Sequence, residues 1–173
     1  RYSGADQDGA PLNHLGSDQW LKTKRKAAEK IHDVAVELLD IYSQREAKKG
    51  FIYECEPAEY EKFVTSFPFE ETADQVSAIA AVVGDMENGR AMDRLVCGDV
   101  GFGKTEVAMR AAFVAALAGM QVAVICPTTL LARQHYRSFT ERFRGFPISV
   151  RPLSRFVSAR EANLTREMMG AGT

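Results

Sequence analysis

The sequence lacks most of the features that mark a secreted or membrane protein. It has only three cysteines, Cys55, Cys97 and Cys126, which lie far apart and form no CxxC pair, so neither a disulfide framework nor a zinc site is indicated. No apolar run approaches the roughly 20 residues needed to cross a bilayer. The first residues show neither an initiator Met nor the apolar core of a secretory signal. We therefore expect a soluble, cytoplasmic piece of a longer protein, with no membrane partner.

The chain also has little net charge, −1, but the sign of its charge changes along the sequence. Residues 54–87 hold nine acids against the single base Lys62. Residues 127–160 hold only one acid, Glu141, against seven arginines: Arg133, Arg137, Arg142, Arg144, Arg151, Arg155 and Arg160. A solvated helix surface would more often mix the two signs. The arginine-rich stretch therefore favours contact with the phosphates of a nucleic acid.

The first third of the chain predicts one long helix. Residues 1–17 show no periodicity and are typical of a loop or of the edge of a preceding domain. Ser17 is a good N-cap, and apolar residues then recur at steps of three and four, which predicts a helix over residues 18–48 that stops at Gly50. A short helix is expected from Pro57 to about Ser66, because proline suits the first helical position.

The rest of the chain predicts an α/β fold. Thr72 and Gln75 have the spacing of a capping box, which starts a helix that runs to about Met86. Strands predicted at residues 94–97, 121–126 and 148–151 then alternate with helices predicted at 103–118, 129–144 and 159–169. Strands and helices that alternate at this spacing indicate a parallel sheet with right-handed crossovers.

One motif carries specific chemistry, the phosphate-binding loop Gly98-Asp99-Val100-Gly101-Phe102-Gly103-Lys104-Thr105. Its glycines leave the backbone amides free to surround phosphate oxygens at the start of a helix. Lys104 can then reach the outer phosphates, and the Thr105 hydroxyl can ligate Mg²⁺. By chance this pattern occurs in well under roughly one percent of chains of this length, so we predict that all eight residues bind ATP with Mg²⁺.

Binding a triphosphate is not the same as hydrolysing it. Hydrolysis also requires an acidic strand end that holds Mg²⁺ and a residue that orients the attacking water. No apolar strand ending in Asp-Glu follows Thr105. We therefore expect Lys104 and Thr105 to take part in catalysis only in the longer protein, and the isolated chain to be inactive.

Three stretches closely resemble the bacterial transcription-repair coupling factors: residues 94–113 around the loop, residues 67–75 before it and residues 127–136 after it. The RecG helicases share the loop but usually have a small residue where this chain has Phe102. The resemblance implies a RecA-like motor domain of superfamily 2. It also implies an ATP-dependent translocase on double-stranded DNA that displaces stalled RNA polymerase and recruits an excision-repair recognition protein.

The resemblance further implies an arrangement of parts and site residues. Residues 1–17 would end a polymerase-interacting domain, 18–50 would form a connecting relay helix, and 51–173 would be the first half of the RecA-like, ATP-binding domain. Adenine contacts are implied for Phe69 and Gln75; the other role open to Gln75, a place in a capping box, does not exclude the adenine contact. DNA contacts are implied for five residues: Thr128, Thr129, Arg133, Ser154 and Arg155. For the two threonines, ordinary helix capping is the alternative.

Two alternatives remain open. In the first, the longer protein is a RecG-like helicase that acts on branched DNA. In the second, this part of the chain is a non-catalytic binding module, in which the helix predicted at residues 18–48 relays motion between a polymerase-binding domain and the motor.

Overall fold

A computed structural model describes residues 18–172 of the chain, which fold into six helices. They are α1 (Asp18–Glu46), α2 (Pro57–Thr65), α3 (Ala73–Glu87), α4 (Lys104–Leu117), α5 (Thr129–Arg142) and α6 (Ala159–Ala171). Every helix predicted from periodicity is confirmed, with ends that differ by one or two residues. The predicted N-cap at Ser17 and the expected edge of a preceding domain, residues 1–17, lie outside the described residues.

Contacts divide the chain into two units, with the division after Lys48. In the first unit the described part consists of α1, a continuous helix of 29 residues that is about 44 Å long at 1.5 Å per residue. None of its residues is buried. Its apolar side chains, such as Ile31, Val34 and Leu38, are therefore exposed within this unit.

In the second unit local sequence signals start the helices. Pro57 occupies the first turn of α2. Thr72 and Gln75 form the predicted capping box of α3, with Thr72 N–H donating to Gln75 Oε1 at 2.9 Å and Gln75 N–H donating to Thr72 Oγ1 at 3.3 Å. Ser158 and Glu161 form a second capping box at α6. These pairs satisfy backbone N–H groups that would otherwise have no partner in the first helical turn.

Helix α4 lies between the two apolar clusters of this unit. One cluster contains Phe63, Met109, Ala112, Phe113, Phe139 and Phe143 and so joins α4 to α2 and α5. The other contains Ile79, Val82, Met86, Val107, Val114 and Ala115 and joins α4 to α3. The Phe63 and Phe113 rings stack with their centroids 4.0 Å apart. Because α4 packs in both clusters, the loop residues at its N-terminus are held in a fixed position.

The parallel sheet predicted from the sequence is not found. No β-strand occurs among residues 18–172, and the segments 94–97, 121–126 and 148–151 are irregular. The described backbone shows only one isolated antiparallel bridge, between Lys49 and Arg90. A strand requires a neighbour that pairs with its backbone, whereas these three segments were predicted from their apolar pattern and their alternation with helices. Leu95 and Ile125 are 87% and 93% exposed, so no layer of residues 18–172 covers their apolar side chains.

None of the helices in the described part of the chain combines the length and the apolar composition needed to span a membrane.

Candidate nucleotide-binding site

The loop at residues 98–103 leads directly into α4. Gly101 and Gly103 have φ angles of +87° and +71°, values that residues with a Cβ atom rarely adopt. Gly103 is the N-cap of α4, and its carbonyl oxygen accepts a hydrogen bond from Glu106 N–H at 2.9 Å. A Cβ atom on Gly103 would lie 2.2 Å from Gln75 Nε2. The loop therefore needs glycine at this position for both its backbone angle and its space.

Lys104 is the first residue of α4, and its side chain turns back over the loop. Its Nζ donates hydrogen bonds to the carbonyl oxygens of Gly98 and Asp99, both at 2.5 Å. An ammonium group has three donors, so at least one remains for another acceptor. The positive charge thus lies at the N-terminal end of a 14-residue helix, where the helix dipole also favours anions.

Gln75 is the predicted adenine-binding residue that the structure brings to the loop. Its Oε1 accepts the Thr72 N–H bond of the capping box, while its Nε2 donates to the Phe102 carbonyl oxygen at 2.9 Å. The two roles that the sequence left open, capping and ligand contact, do not exclude one another. The amide keeps one free lone pair and one free N–H, which match an adenine edge.

The other predicted nucleotide ligands lie on the surface or close to it. Phe69 is 73% exposed, and its ring meets Phe67 edge-on with the centroids 5.5 Å apart. Asp99 and Val100 are exposed in the loop, whereas Thr105, in the first turn of α4, is partly buried. Phe69 therefore offers an open aromatic face beside Phe67.

The residues at this site fit a triphosphate. A helix N-terminus, an ammonium group and a hydroxyl stand next to one another at Gly103, Lys104 and Thr105. The site offers few metal ligands, since no cluster of three His, Cys, Asp or Glu side chains able to hold a metal occurs within residues 18–172. Thr105 is thus the residue of the loop that could ligate Mg²⁺, together with phosphate oxygens.

The predicted DNA-contacting residues lie at two places in the second unit. Thr128 caps α5, where its Oγ1 accepts from Leu131 N–H at 3.2 Å, and Thr129 is the first helical residue. Arg133 is exposed one turn later and lines a shallow cavity with its neighbours on the same helix: Leu130, Gln134, Arg137 and Ser138. Capping by Thr128 is thus confirmed, and the DNA contact stays a prediction.

Ser154 and Arg155 belong to a turn between α5 and α6. The Ser154 hydroxyl accepts from Phe156 N–H at 3.3 Å, and its carbonyl accepts from Val157 N–H at 3.1 Å. The Arg155 guanidinium lies 5.0 Å from the centre of the Phe156 ring. An exposed arginine beside an exposed aromatic ring can meet a phosphate or a base.

One member of the arginine-rich stretch was placed wrongly by sequence reasoning. The side chain of Arg142 is only 10% exposed and forms an ion pair with Glu106 of α4 at 2.9 Å. Arg142 therefore does not belong to a DNA-facing surface, because its guanidinium is paired with the buried carboxylate of Glu106. The remaining six arginines of the stretch are exposed: Arg133, Arg137, Arg144, Arg151, Arg155 and Arg160.

Sequence reasoning also missed the network around this ion pair, which consists of the buried residues Glu106 and Arg110 and the partly buried Glu71, a partner of Arg110. A signal was present, since Glu106 and Arg110 are four residues apart and every other residue of α4 after Thr105 is apolar. Charged residues on the buried face of a helix are almost always paired.

Comparison with known proteins gives consistent matches. Residues 72–169 match the family model of the DEAD/DEAH box helicases. The transcription-repair-coupling factor of Haemophilus influenzae is 57% identical over 172 residues, which cover 99% of this chain and 15% of that protein. The factor of Escherichia coli is 58% identical over 161 residues, which cover 93% of this chain and 14% of that protein. The resemblance read from the sequence is therefore confirmed.

A solved structure of RecG bound to a three-way DNA junction also matches. It is 34% identical, superposes with a TM-score of 0.72, and covers 84% of this chain and 20% of that one. Together with the family model, this match supports a RecA-like helicase fold. The chain spans about 15% of the length of the curated relatives it matches.

Proposed function

The chain belongs to the DEAD/DEAH box helicase family, and on that premise we propose that it is the ATP-binding part of a double-stranded DNA translocase. In the longer protein this motor displaces stalled RNA polymerase and couples transcription to nucleotide excision repair. The observation that carries the proposal is the Lys104 ammonium, held over a glycine loop at the N-terminus of α4. High identity to transcription-repair-coupling factors along the whole chain supports the biological role.

In this proposal the loop binds the phosphates of ATP. Backbone amides from Gly98 to Thr105 surround the β- and γ-phosphates, and the N-terminus of α4 faces their negative charge. Lys104 exchanges its carbonyl acceptors for phosphate oxygens, which bind an ammonium more strongly because they are charged. Mg²⁺, ligated by Thr105 and by phosphate oxygens, supplies charge neutralisation when bound.

Gln75 and Phe69 bind the adenine. The free lone pair of Gln75 Oε1 accepts from the exocyclic amine, and the free N–H of Nε2 donates to a ring nitrogen, the bidentate geometry that amides use with adenine. The open face of Phe69 covers the base. Gln75 also touches the loop through Phe102, which supports a site that holds base and phosphates together.

Double-stranded DNA binds along α5 and the turn that precedes α6. The N-terminus of α5, with Thr128 and Thr129, binds one DNA phosphate. Arg133, Ser154 and Arg155 contact further phosphates. The six exposed arginines support this placement, because neutralising the DNA backbone is what makes such a surface bind.

The rest of the role requires parts that the longer protein supplies. We assign residues 1–17 to the end of a polymerase-interacting domain, 18–50 to a relay helix, and 51–173 to the first half of the ATP-binding domain. The uninterrupted course of α1 supports the relay. Acidic residues for hydrolysis and the surface for the excision-repair protein lie elsewhere in that protein, so this chain alone is inactive. Its three unpaired cysteines suit the reducing cytoplasm.

The test uses the full-length protein with Lys104→Ala and a matched control, Lys62→Ala, which removes an exposed lysine of α2 in the same unit. Lys104→Ala is expected to lose binding of a fluorescent ATP analogue with Mg²⁺ and to lose polymerase displacement. Lys62→Ala is expected to keep both, because an exposed ion pair contributes little. Wild-type binding and displacement by Lys104→Ala would contradict the proposal.

The match to RecG favours one other candidate, a helicase that acts on branched DNA. The two candidates differ in substrate. If the full-length protein unwinds three-way junctions and leaves a stalled polymerase in place, the RecG-like function replaces the one proposed here.

A further inference from the structure

Four charged side chains form a largely buried network next to the candidate nucleotide site. Glu106 and Arg110 of α4 are only 6% and 1% exposed. Arg142, the last residue of α5, and Glu71, between α2 and α3, complete it. Two acids and two bases balance the charge, and no buried side-chain nitrogen or oxygen in the described residues lacks a hydrogen-bond partner.

Glu106 is the centre of the network. Its Oε1 accepts from Arg110 Nε at 2.7 Å and from Arg142 Nη2 at 2.9 Å, and its Oε2 accepts from Arg142 Nε at 3.4 Å. The pair between Glu106 and Arg142 is therefore bidentate, a geometry that fixes orientation as well as distance. It joins residues 36 positions apart in sequence, on two different helices.

The other contacts of the two arginines connect the helices to the segment before α3. Arg142 Nη1 donates to the Ser66 hydroxyl, and Arg110 Nη2 donates to the Glu71 carboxylate. Glu71 directly precedes Thr72, the N-cap that Gln75 completes. One network thus contacts the segment with the proposed adenine ligands and the helix that follows the phosphate loop.

An aromatic stack supports Arg142. Its guanidinium lies 3.8 Å from the centre of the Phe63 ring, and the opposite side of that ring stacks on Phe113 of α4. Arginine on an aromatic face is stabilised by the ring quadrupole. The Arg142 head group is therefore held on two sides, by a carboxylate and by a ring, and has little freedom to move independently of α4.

The position of the network relates it to both proposed ligands. Glu106 directly follows Thr105, so a shift of Glu106 moves the end of the phosphate loop. Arg142 lies 13 residues after Thr129 on one helix, about 20 Å at 1.5 Å per residue. A helix of this length without proline or glycine moves as a rigid element. A displacement at the DNA-facing end of α5 therefore reaches Glu106 through Arg142.

We infer that Arg142 is a positioning residue that couples the DNA-binding end of α5 to the phosphate loop through Glu106. The inference rests on the proposed function, since it needs both ligands. Replacing buried ion pairs by apolar side chains is often neutral for stability, so stability alone does not explain this pair. The bidentate geometry transmits a change of helix position, which apolar contacts between the same helices would absorb by sliding.

The inference is tested with Arg142→Met in the full-length protein. Methionine keeps an apolar side chain against Phe63, and Arg110 still contacts both Glu106 and Glu71, although the network then carries one excess negative charge. Arg166→Met removes an exposed arginine of α6, outside the arginine-rich stretch, and serves as the control. Arg142→Lys keeps the charge and serves as the conservative rescue. Thermal denaturation establishes that each variant is folded.

Two quantities are measured for each variant. The first is the ratio of ATPase activity with and without linear double-stranded DNA. The second is the ratio of DNA affinity with and without a non-hydrolysable ATP analogue. We expect Arg142→Met to keep its basal ATPase within about twofold and to lower both ratios by about tenfold, within the usual range of coupling between two sites. Arg166→Met is expected to match wild type, and Arg142→Lys to recover part of both ratios.

The outcomes distinguish a failure of the inference from a failure of the proposed function on which it rests. Wild-type ratios in Arg142→Met would overturn the inference and leave the proposed function intact. Equal losses of basal and stimulated activity, with both ratios unchanged, would show that Arg142 only maintains the fold, which also overturns it. A wild-type protein that DNA does not stimulate would overturn the proposed function, and the inference with it.

Discussion

Replacing Gly103 by alanine is expected to destabilise the second unit by about 2 kcal/mol, the sum of a backbone term and a contact term. The φ angle of +71° costs an L-residue roughly 1 kcal/mol or slightly more. The new Cβ atom would also lie 2.2 Å from Gln75 Nε2, which forces the amide away. Its hydrogen bond to the Phe102 carbonyl would be lost, at about 1 kcal/mol.

Two other glycines of the loop separate these terms. Gly101 has a φ of +87°, and a Cβ atom there meets nothing within 4 Å, so Gly101→Ala is expected to cost only the backbone term, about 1 kcal/mol. At Gly98 the φ angle is not in the left-handed region, and the nearest atom to a new Cβ is Lys104 Cδ at an ordinary 3.6 Å. Gly98→Ala is therefore expected to change stability little.

The assay is urea denaturation of the 173-residue chain, followed by helical circular dichroism, with each variant also made in a Gln75→Ala background. In that background the excess cost of Gly103→Ala over Gly101→Ala should vanish, because the amide that clashes is gone. The reasoning is refuted if the two alanine variants are equally stable in the wild-type background, or if the excess persists without Gln75.

Two further predictions concern charged groups. The hydrogen bond from Arg94 at 2.6 Å holds the pKa of Asp85 below its usual range, so the pair stabilises the fold above the usual aspartate pKa of about 3.9, and this stabilisation is lost as the pH falls through the lowered pKa. Asp85→Asn should therefore melt below wild type at neutral pH and match it in strong acid; a difference that persists in acid would contradict this. For DNA binding by the full-length protein, Arg133→Gln should reduce the slope of log affinity against log salt by about 1. An unchanged slope, equal to that of a Lys62→Gln control, would remove Arg133 from the DNA interface.

The helices and their caps could be predicted from the sequence because the signals are local. The capping box at Thr72 and Gln75 involves residues three positions apart, and the structure forms both of its hydrogen bonds. The α4 N-terminus was placed correctly because Gly103 and Lys104 belong to a motif whose backbone geometry requires a helix next. In each case the residues that determine the structure are neighbours in the chain.

Long-range contacts could not be predicted in the same way. Apolar segments such as 121–126 indicated strands, but the sequence does not say whether a neighbour pairs with them. The hydrogen bond between Gln75 and Phe102 spans 27 positions. Arg142 was misplaced because residue type suggested a surface charge, although Phe139, three positions earlier, and Phe143, next to it, are buried and indicate that this end of α5 faces the core.

The contrast between Arg142 and the exposed arginines shows that the same residue type occupies two different environments in one stretch. Arg133 keeps its hydration and is free to neutralise a phosphate, whereas Arg142 gives up hydration in exchange for the Glu106 carboxylate and the Phe63 ring. Desolvating a charge is costly unless its partners are fixed in place. The exchange is favourable here because α4, packed on both sides by apolar clusters, presents Glu106 in a fixed position. Because α4 holds Glu106 in place, a movement of α5 changes the contact between Arg142 and Glu106. A solvated arginine would not transmit such a movement.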